Sequence, residues 1–269
     1  MMKPCSSLSI VSFVLLTLAA SAPAATFSLN PSADAFVSSS TALNVLGTAA
    51  IKDSNFGFAG ALAVSAPGLP KGEFDSLMMF NFAAAKASFD TTLGAGQWAV
   101  TSITLQLTVQ PPNNSIFNGS GATPANTAGI FSLTWMQNKT WTEGTGTPAA
   151  PTTTGITFST LSSFLGGSDQ SLGTSFSFGG GTSGNTAWTL GLASSLVTDV
   201  TNGNQTSLLM APADTGVAMV ANSENFGTSA NRPLLTVTAG TVPEPGSMTL
   251  LASAALAWFA RRRRDARAT

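Results

Sequence analysis

The sequence predicts an all-β fold, a β-sandwich of the jelly-roll kind, on three observations. Ile103-Thr104-Leu105-Gln106-Leu107-Thr108-Val109 alternates apolar and polar residues with a period of two, the mark of a strand with one buried face. Several other short apolar runs are set apart by clusters of Gly, Asn, Ser and Pro, the spacing of strands joined by turns. Within the body of the chain, only Leu192 to Val200 reads as a short helix.

In chain order, Ala61-Leu62-Ala63-Val64 is the first of these runs. Phe74 to Phe82 follows, with Met78, Phe80 and Phe82 alternating against Met79 and Asn81. The strand at 103–109 ends at Pro111-Pro112, since proline cannot donate to a ladder. Phe131-Ser132-Leu133-Thr134-Trp135 repeats the alternation and puts Trp135 on the apolar face. Val217-Ala218-Met219-Val220 and Leu234 to Thr238 complete the set. The connectors fall at 111–129, 143–155, 166–184 and 201–206. Gly179-Gly180-Gly181 reads as a loop and not as a phosphate cradle, because no Lys-Ser/Thr follows it and no strand leads into a helix there.

The two ends read as addresses. Lys3, an apolar stretch from Leu8 to Ala20 and the small residues Ala22-Pro23-Ala24 have the three-part form of a secretory signal peptide, residues 1–24, cut after Ala24 or Ala25. Cys5 precedes the apolar stretch and leaves with it, so the mature body has no thiol and no disulfide. The body is expected to span 25–241. The C-terminal segment, 242–269, holds Val242-Pro243-Glu244-Pro245, an apolar run from Met248 to Ala260 suited to a short helix, and Arg261-Arg262-Arg263-Arg264. Thirteen helical residues reach only about 20 Å against a hydrocarbon core of about 30 Å, which favours a transient anchor over a permanent span. The four arginines act as a stop on the cytoplasmic side and leave the body outside.

This order of proline punctuation, apolar run and arginine cluster resembles the PEP-CTERM sorting signal of exported proteins in Gram-negative bacteria. The resemblance implies signal peptidase and an exosortase-type membrane protease as processing partners, transient residence in the inner membrane, cleavage close to Pro243-Glu244-Pro245, and a final location at the cell surface or in the extracellular matrix.

Composition narrows what the body does. Between residues 25 and 242 five basic residues face ten acidic ones, a net charge of −5, which argues against a nucleic-acid partner. There is no histidine and no tyrosine in the chain, so Ser–His, Cys–His and histidine-based zinc chemistry are excluded, and no catalytic residue is assigned. A carboxylate-based glycan hydrolase or lyase is the remaining enzymatic rival, but the acids show no convincing pair; Asp53, Asp75, Asp90 and Asp169 sit among loop-like residues. For polysaccharide, Trp98 and Trp188, each beside glycine-rich chain, are the candidate stacking residues; Trp135 and Trp141 read as core and corner. No cofactor and no metal ligand is assigned, with structural calcium on Asp34, Glu143, Asp199 and Glu224 as the alternative.

A second resemblance covers about 30–239. Asp34-Ala35-Phe36-Val37, the 74–82 strand, Ser102 to Leu107, Trp141-Thr142-Glu143-Gly144, Asn222-Ser223-Glu224-Asn225 and Arg232-Pro233-Leu234-Leu235-Thr236-Val237 occur in the order found in the DNRLRE family, a β-sandwich similar to carbohydrate-binding modules. Leu77-Met78-Met79 stands where that family has its name-giving Arg-Leu-Arg segment. The expected function is therefore that of an exported, non-catalytic surface or matrix protein, structural or adhesive within exopolysaccharide or biofilm. The alternative is a carbohydrate-binding module.

Overall fold

A computed structural model describes residues 23–67, 72–110, 126–181 and 184–242. Residues 1–22 of the expected signal peptide (1–24), the Pro-Glu-Pro segment, the expected C-terminal helix and the arginine cluster lie outside them. The described residues form an all-β antiparallel fold of eleven strands: β1 (Ala24–Leu29), β2 (Ala33–Ser38), β3 (Ala61–Ser65), β4 (Phe74–Asn81), β5 (Trp98–Val109), β6 (Gly129–Met136), β7 (Gln170–Phe178), β8 (Gly184–Thr189), β9 (Gln205–Pro212), β10 (Ala218–Asn222) and β11 (Leu234–Thr241). Three α-helices accompany them: α1 (Ala83–Leu93), α2 (Phe158–Leu161) and α3 (Ser194–Asn202).

The ladder runs β1-β11-β5-β10-β3-β4-β9-β6-β7, with β8 beside β5 and β2 beside β4. It is continuous only through single residue pairs at its corners, Ala221 with Val109 and Ser65 with Phe74. At the second corner the Ser76 hydroxyl does the work of a strand. It donates to the Ala63 carbonyl at 2.7 Å and accepts the Ala63 N–H at 2.8 Å, so both backbone groups stay satisfied where β3 turns away from β4.

The sheet folds over itself at these corners. Ile103, Leu105 and Leu107 of β5, and Leu235 and Val237 of β11, share one core with Phe80 of β4, Leu133 of β6 and Met210 of β9. Phe131 of β6 meets Trp188 of β8 edge to face, centroids 5.0 Å apart, across the two layers. One layer is β8-β5-β11-β1; the other is β2-β4-β9-β6-β7, with β3 and β10 linking them. This is the sandwich that the alternating strands require.

Strand β4 is buried on both faces except at Asn81. Its second face meets a smaller cluster in which Leu77 and Met79 pack with Trp141, Ile156 and Leu161 from the long connection between β6 and β7. A strand covered on both sides reads as a continuous apolar run, which is what Phe74 to Phe82 contains.

Helix α3 lies over the expected segment. Helix α1 corrects the expectation of a single helix: its Ala-rich sequence buries Ala85, Phe89 and Leu93 at i, i+4 and i+8, and Lys86 pairs with Asp90 one turn on. The 166–184 stretch, expected as a connector, contains all of β7 and the start of β8. Both carry Gly, Ser and Thr on solvent-facing positions, which hides their alternation. Gly179-Gly180-Gly181 lies outside the strands, as expected, and Gly180 and Gly181 have φ of 70° and 58°.

Candidate functional site

Two places concentrate the residues that matter for function. The first is the pole where the chain enters and leaves. β1 pairs along its whole length with β11, Ala24 opposite Gly240 and Leu29 opposite Leu235. Beyond the ladder the Thr241 N–H donates to the Pro23 carbonyl at 3.2 Å, and the Val242 N–H donates to Gln97 O at 2.8 Å. Val242, the residue directly before Pro243 in the sequence, is therefore still hydrogen-bonded to the domain. The expected signal-peptide cut after Ala24 or Ala25 falls at the start of β1, within one or two residues of the same point.

The second place gathers residues far apart in sequence. Asp34, at the start of β2, has no exposed surface. One of its oxygens, Oδ2, accepts the Glu224 N–H at 2.6 Å. Glu143 Oε1 accepts from Asn225 Nδ2 at 2.6 Å and, more weakly, from the Asp34 N–H at 3.4 Å. Glu224 faces Arg232, whose Nη1 lies 3.4 Å from Oε1. Burial pushes the Asp34 carboxyl well above the usual range, with Glu143 and Glu224 adding to the push against the Glu224 N–H and the Ser223 hydroxyl. Burial likewise raises Glu143.

Asn55 locks this place together. Its amide donates to Glu143 O at 2.6 Å and to Ile156 O at 2.8 Å, while its Oδ1 accepts the N–H groups of Gly57 and Gly146, each at 3.1 Å. Glycine is obligatory at several positions here, Gly57 and Gly144 among them. A Cβ on Gly57 would sit 2.2 Å from Glu143 O, and Gly144 combines a φ of 77° with a Cβ position 2.3 Å from Asn55 Oδ1. Asn55 drew no attention in the sequence, where nothing separates it from the other asparagines of the turns. Trp141 is buried, as expected of a corner, and its indole donates to Ser207 Oγ at 2.7 Å.

Of the four acids considered for calcium, the structure brings together Asp34, Glu143 and Glu224. Asp199 is elsewhere, on α3, held by Lys139 at 2.6 Å and by the Trp135 indole at 2.7 Å. Among the described residues no three acidic side chains form a ready-made metal-ligand group. Two of the acids assigned to loops are not there: Asp90 lies on α1, and Asp75 is a buried residue of β4 whose carboxyl is pushed up to about 7 by burial, with Glu73 adding to it.

The candidate stacking residues are corrected. Trp98 and Trp188 are both nearly buried, at 7% and 9% exposure. Trp98 packs on Phe89 and donates to Asp90 Oδ1 at 2.9 Å; Trp188 packs on Phe131 and donates to Ser177 O at 3.0 Å. Neither indole offers an open face to a sugar. The cause for Trp98 is a bulge. Thr238 pairs with Ser102 but Ala239 with Val100, so Thr101 is an extra residue that reverses the alternation and turns Trp98 inward. Trp188 lies opposite Leu105, an inward residue, and shares its face. An open groove of about 490 Å³ lies instead between Gln137–Thr140 and Ser163–Gly166, lined by Asn138, Lys139, Phe164 and Asp169 among others.

Comparison with known proteins finds the PEP-CTERM protein-sorting motif at residues 241–264, beginning on the last residue of β11. No curated protein matches the chain. The motif indicates sorting by an exosortase, a membrane protein, with export and transient membrane anchoring before display at the cell surface.

Proposed function

We propose that the chain is a non-catalytic surface or matrix protein with a structural or adhesive role in exopolysaccharide or biofilm, delivered through its C-terminal signal. The observation that carries this reading is the junction at Thr241–Val242, where a closed β-sandwich passes into the sorting motif. The absence of histidine and tyrosine from the sequence supports a body without catalysis, as does the burial of Asp34, which no substrate can reach. Adhesion is supported by the loop after β2, where Leu43, Val45 and Leu46 are 65%, 69% and 55% exposed on a weakly charged surface. Cell fractionation tests the reading: the body is expected in the surface or matrix fraction, and retention in the cytoplasm would overturn it.

The groove beside Phe164 favours a second reading, a carbohydrate-binding module of the DNRLRE kind. Its volume suits a small saccharide, and it combines a half-buried aromatic ring with amide, hydroxyl and charged groups. The convergence of Asp34, Glu143, Glu224 and Arg232, all from segments that carry the resemblance, supports a related architecture. A broad glycan array decides it: binding that Phe164→Ala and Asn138→Ala abolish supports the module, and no binding by the intact chain removes it.

A further inference from the structure

Asp34 presents an electrostatic problem that the protein alone does not solve. Its Oδ2 is satisfied by the Glu224 N–H, but Oδ1 is buried and has no hydrogen-bond partner. A buried carboxylate oxygen left in that state is costly. Two further carboxylates, Glu143 and Glu224, are close enough to repel it, and the cation in contact with the group, Arg232, is engaged with Glu224 and with Phe226 O. Positive charge is missing on the Asp34–Glu143 side.

The surroundings suit one kind of cation. The oxygens gathered around Asp34 belong to carboxylates, side-chain amides, loop carbonyls and the Ser223 hydroxyl, which is the donor chemistry of hard cations. The segments that supply them, 54–57, 141–146 and 223–225, lie outside the regular strands and helices, which fits the variable coordination of Ca²⁺ better than the strict octahedron of Mg²⁺. We propose that Asp34 and Glu143 are the protein carboxylates of a Ca²⁺ site that clasps these three segments to β2. Amide oxygens, backbone carbonyls and water complete the shell, since two acids alone do not. The ion replaces the missing counter-charge and gives the orphan Oδ1 its partner.

The full chain, stripped with EDTA and then titrated with Ca²⁺ by calorimetry and thermal unfolding, tests this. At about 5 mM Ca²⁺, in the range where extracellular sites fill, the midpoint is expected to rise by roughly 5–10 °C, with a smaller response to Mg²⁺. Asp34→Asn removes the charge with little change of shape; it is expected to lose the Ca²⁺ response, as is Glu143→Gln, whereas Asp169→Asn keeps it. Should Asp34→Asn fail to fold, the glutamine variant carries the test. A midpoint and heat signal that Ca²⁺ leaves unmoved in the intact chain, or a full response in both carboxamide variants, overturns the proposal.

Discussion

Thr26 pairs with Thr238 in the β1–β11 ladder, three residues before the sorting motif begins at Thr241, so the mature chain enters and leaves the sandwich at one pole. The edge strand β1 pairs with β11 and sets Ala25, Phe27 and Leu29 against the core, and the sorting motif begins where that pairing ends. The expected export signal and the sorting motif thus flank a single pole. A protease acting near Pro243-Glu244-Pro245 cuts within a few residues of Val242, which is hydrogen-bonded to the folded domain. A six-residue Gly-Ser spacer between Val242 and Pro243 is therefore expected to keep or raise the rate of tail removal, measured by pulse-chase gel shift; a large loss of processing would count against an accessibility-limited junction.

Asn55 supplies four hydrogen bonds to backbone groups of three segments. Asn55→Ala leaves Glu143 O, Ile156 O and the N–H groups of Gly57 and Gly146 without their partner. A loss of about 2–4 kcal/mol is expected in urea denaturation, well beyond that of an exposed asparagine such as Asn202→Ala.

Trp98→Phe and Trp188→Phe keep a ring in the core and delete the indole N–H that reaches Asp90 and Ser177. Each is expected to cost about 1–2 kcal/mol of stability and to leave any glycan affinity of the chain unchanged. A selective loss of binding at full stability would restore these residues as sugar contacts.

Asp75 makes the fold sensitive to pH. Its folded pKa, raised to about 7, lies above the ordinary carboxylate value of about 4. Between those values the folded state holds a proton that the unfolded chain has released, so this group's contribution falls as pH rises through that window and levels off above about 7. The slope is at most about 1.4 kcal/mol per pH unit, and comparison with Asp75→Asn isolates it: the stability difference between the two proteins is expected to vary from pH 4 to 7 and to be flat above.

Leu43, Val45 and Leu46 lie exposed on the loop after β2. Replacing all three by Ser is expected to shift the unfolding midpoint by less than about 2 °C and to reduce retention of the protein on purified biofilm matrix. Unchanged retention would remove this loop from the adhesive account.

The strands with one wet face were legible because their periodicity is a direct record of burial. Ile103 to Val109 and Phe131 to Trp135 lie on β5 and β6, and Leu234 to Thr238 lies on β11. What stayed hidden has physical causes. The bulge at Thr101 inverts the pattern upstream, so Trp98 lies inside although simple alternation from Ile103 points it out. Helix α1 was masked because Ala, Ser and Thr dilute its three core contacts. Asp34, Glu143 and Glu224 could be named as scattered acids, but their convergence depends on loops that Asn55 ties, a long-range fact that no local pattern encodes.

The central claim is that the chain's fate is set by its C-terminal signal. The most direct measurement is mass spectrometry of the C-terminal peptide of the surface-exposed protein from a host with the processing protease. The account predicts a terminus at or close to Pro243-Glu244-Pro245, with Arg261 to Arg264 absent. A surface form that mainly retains those four arginines would contradict it.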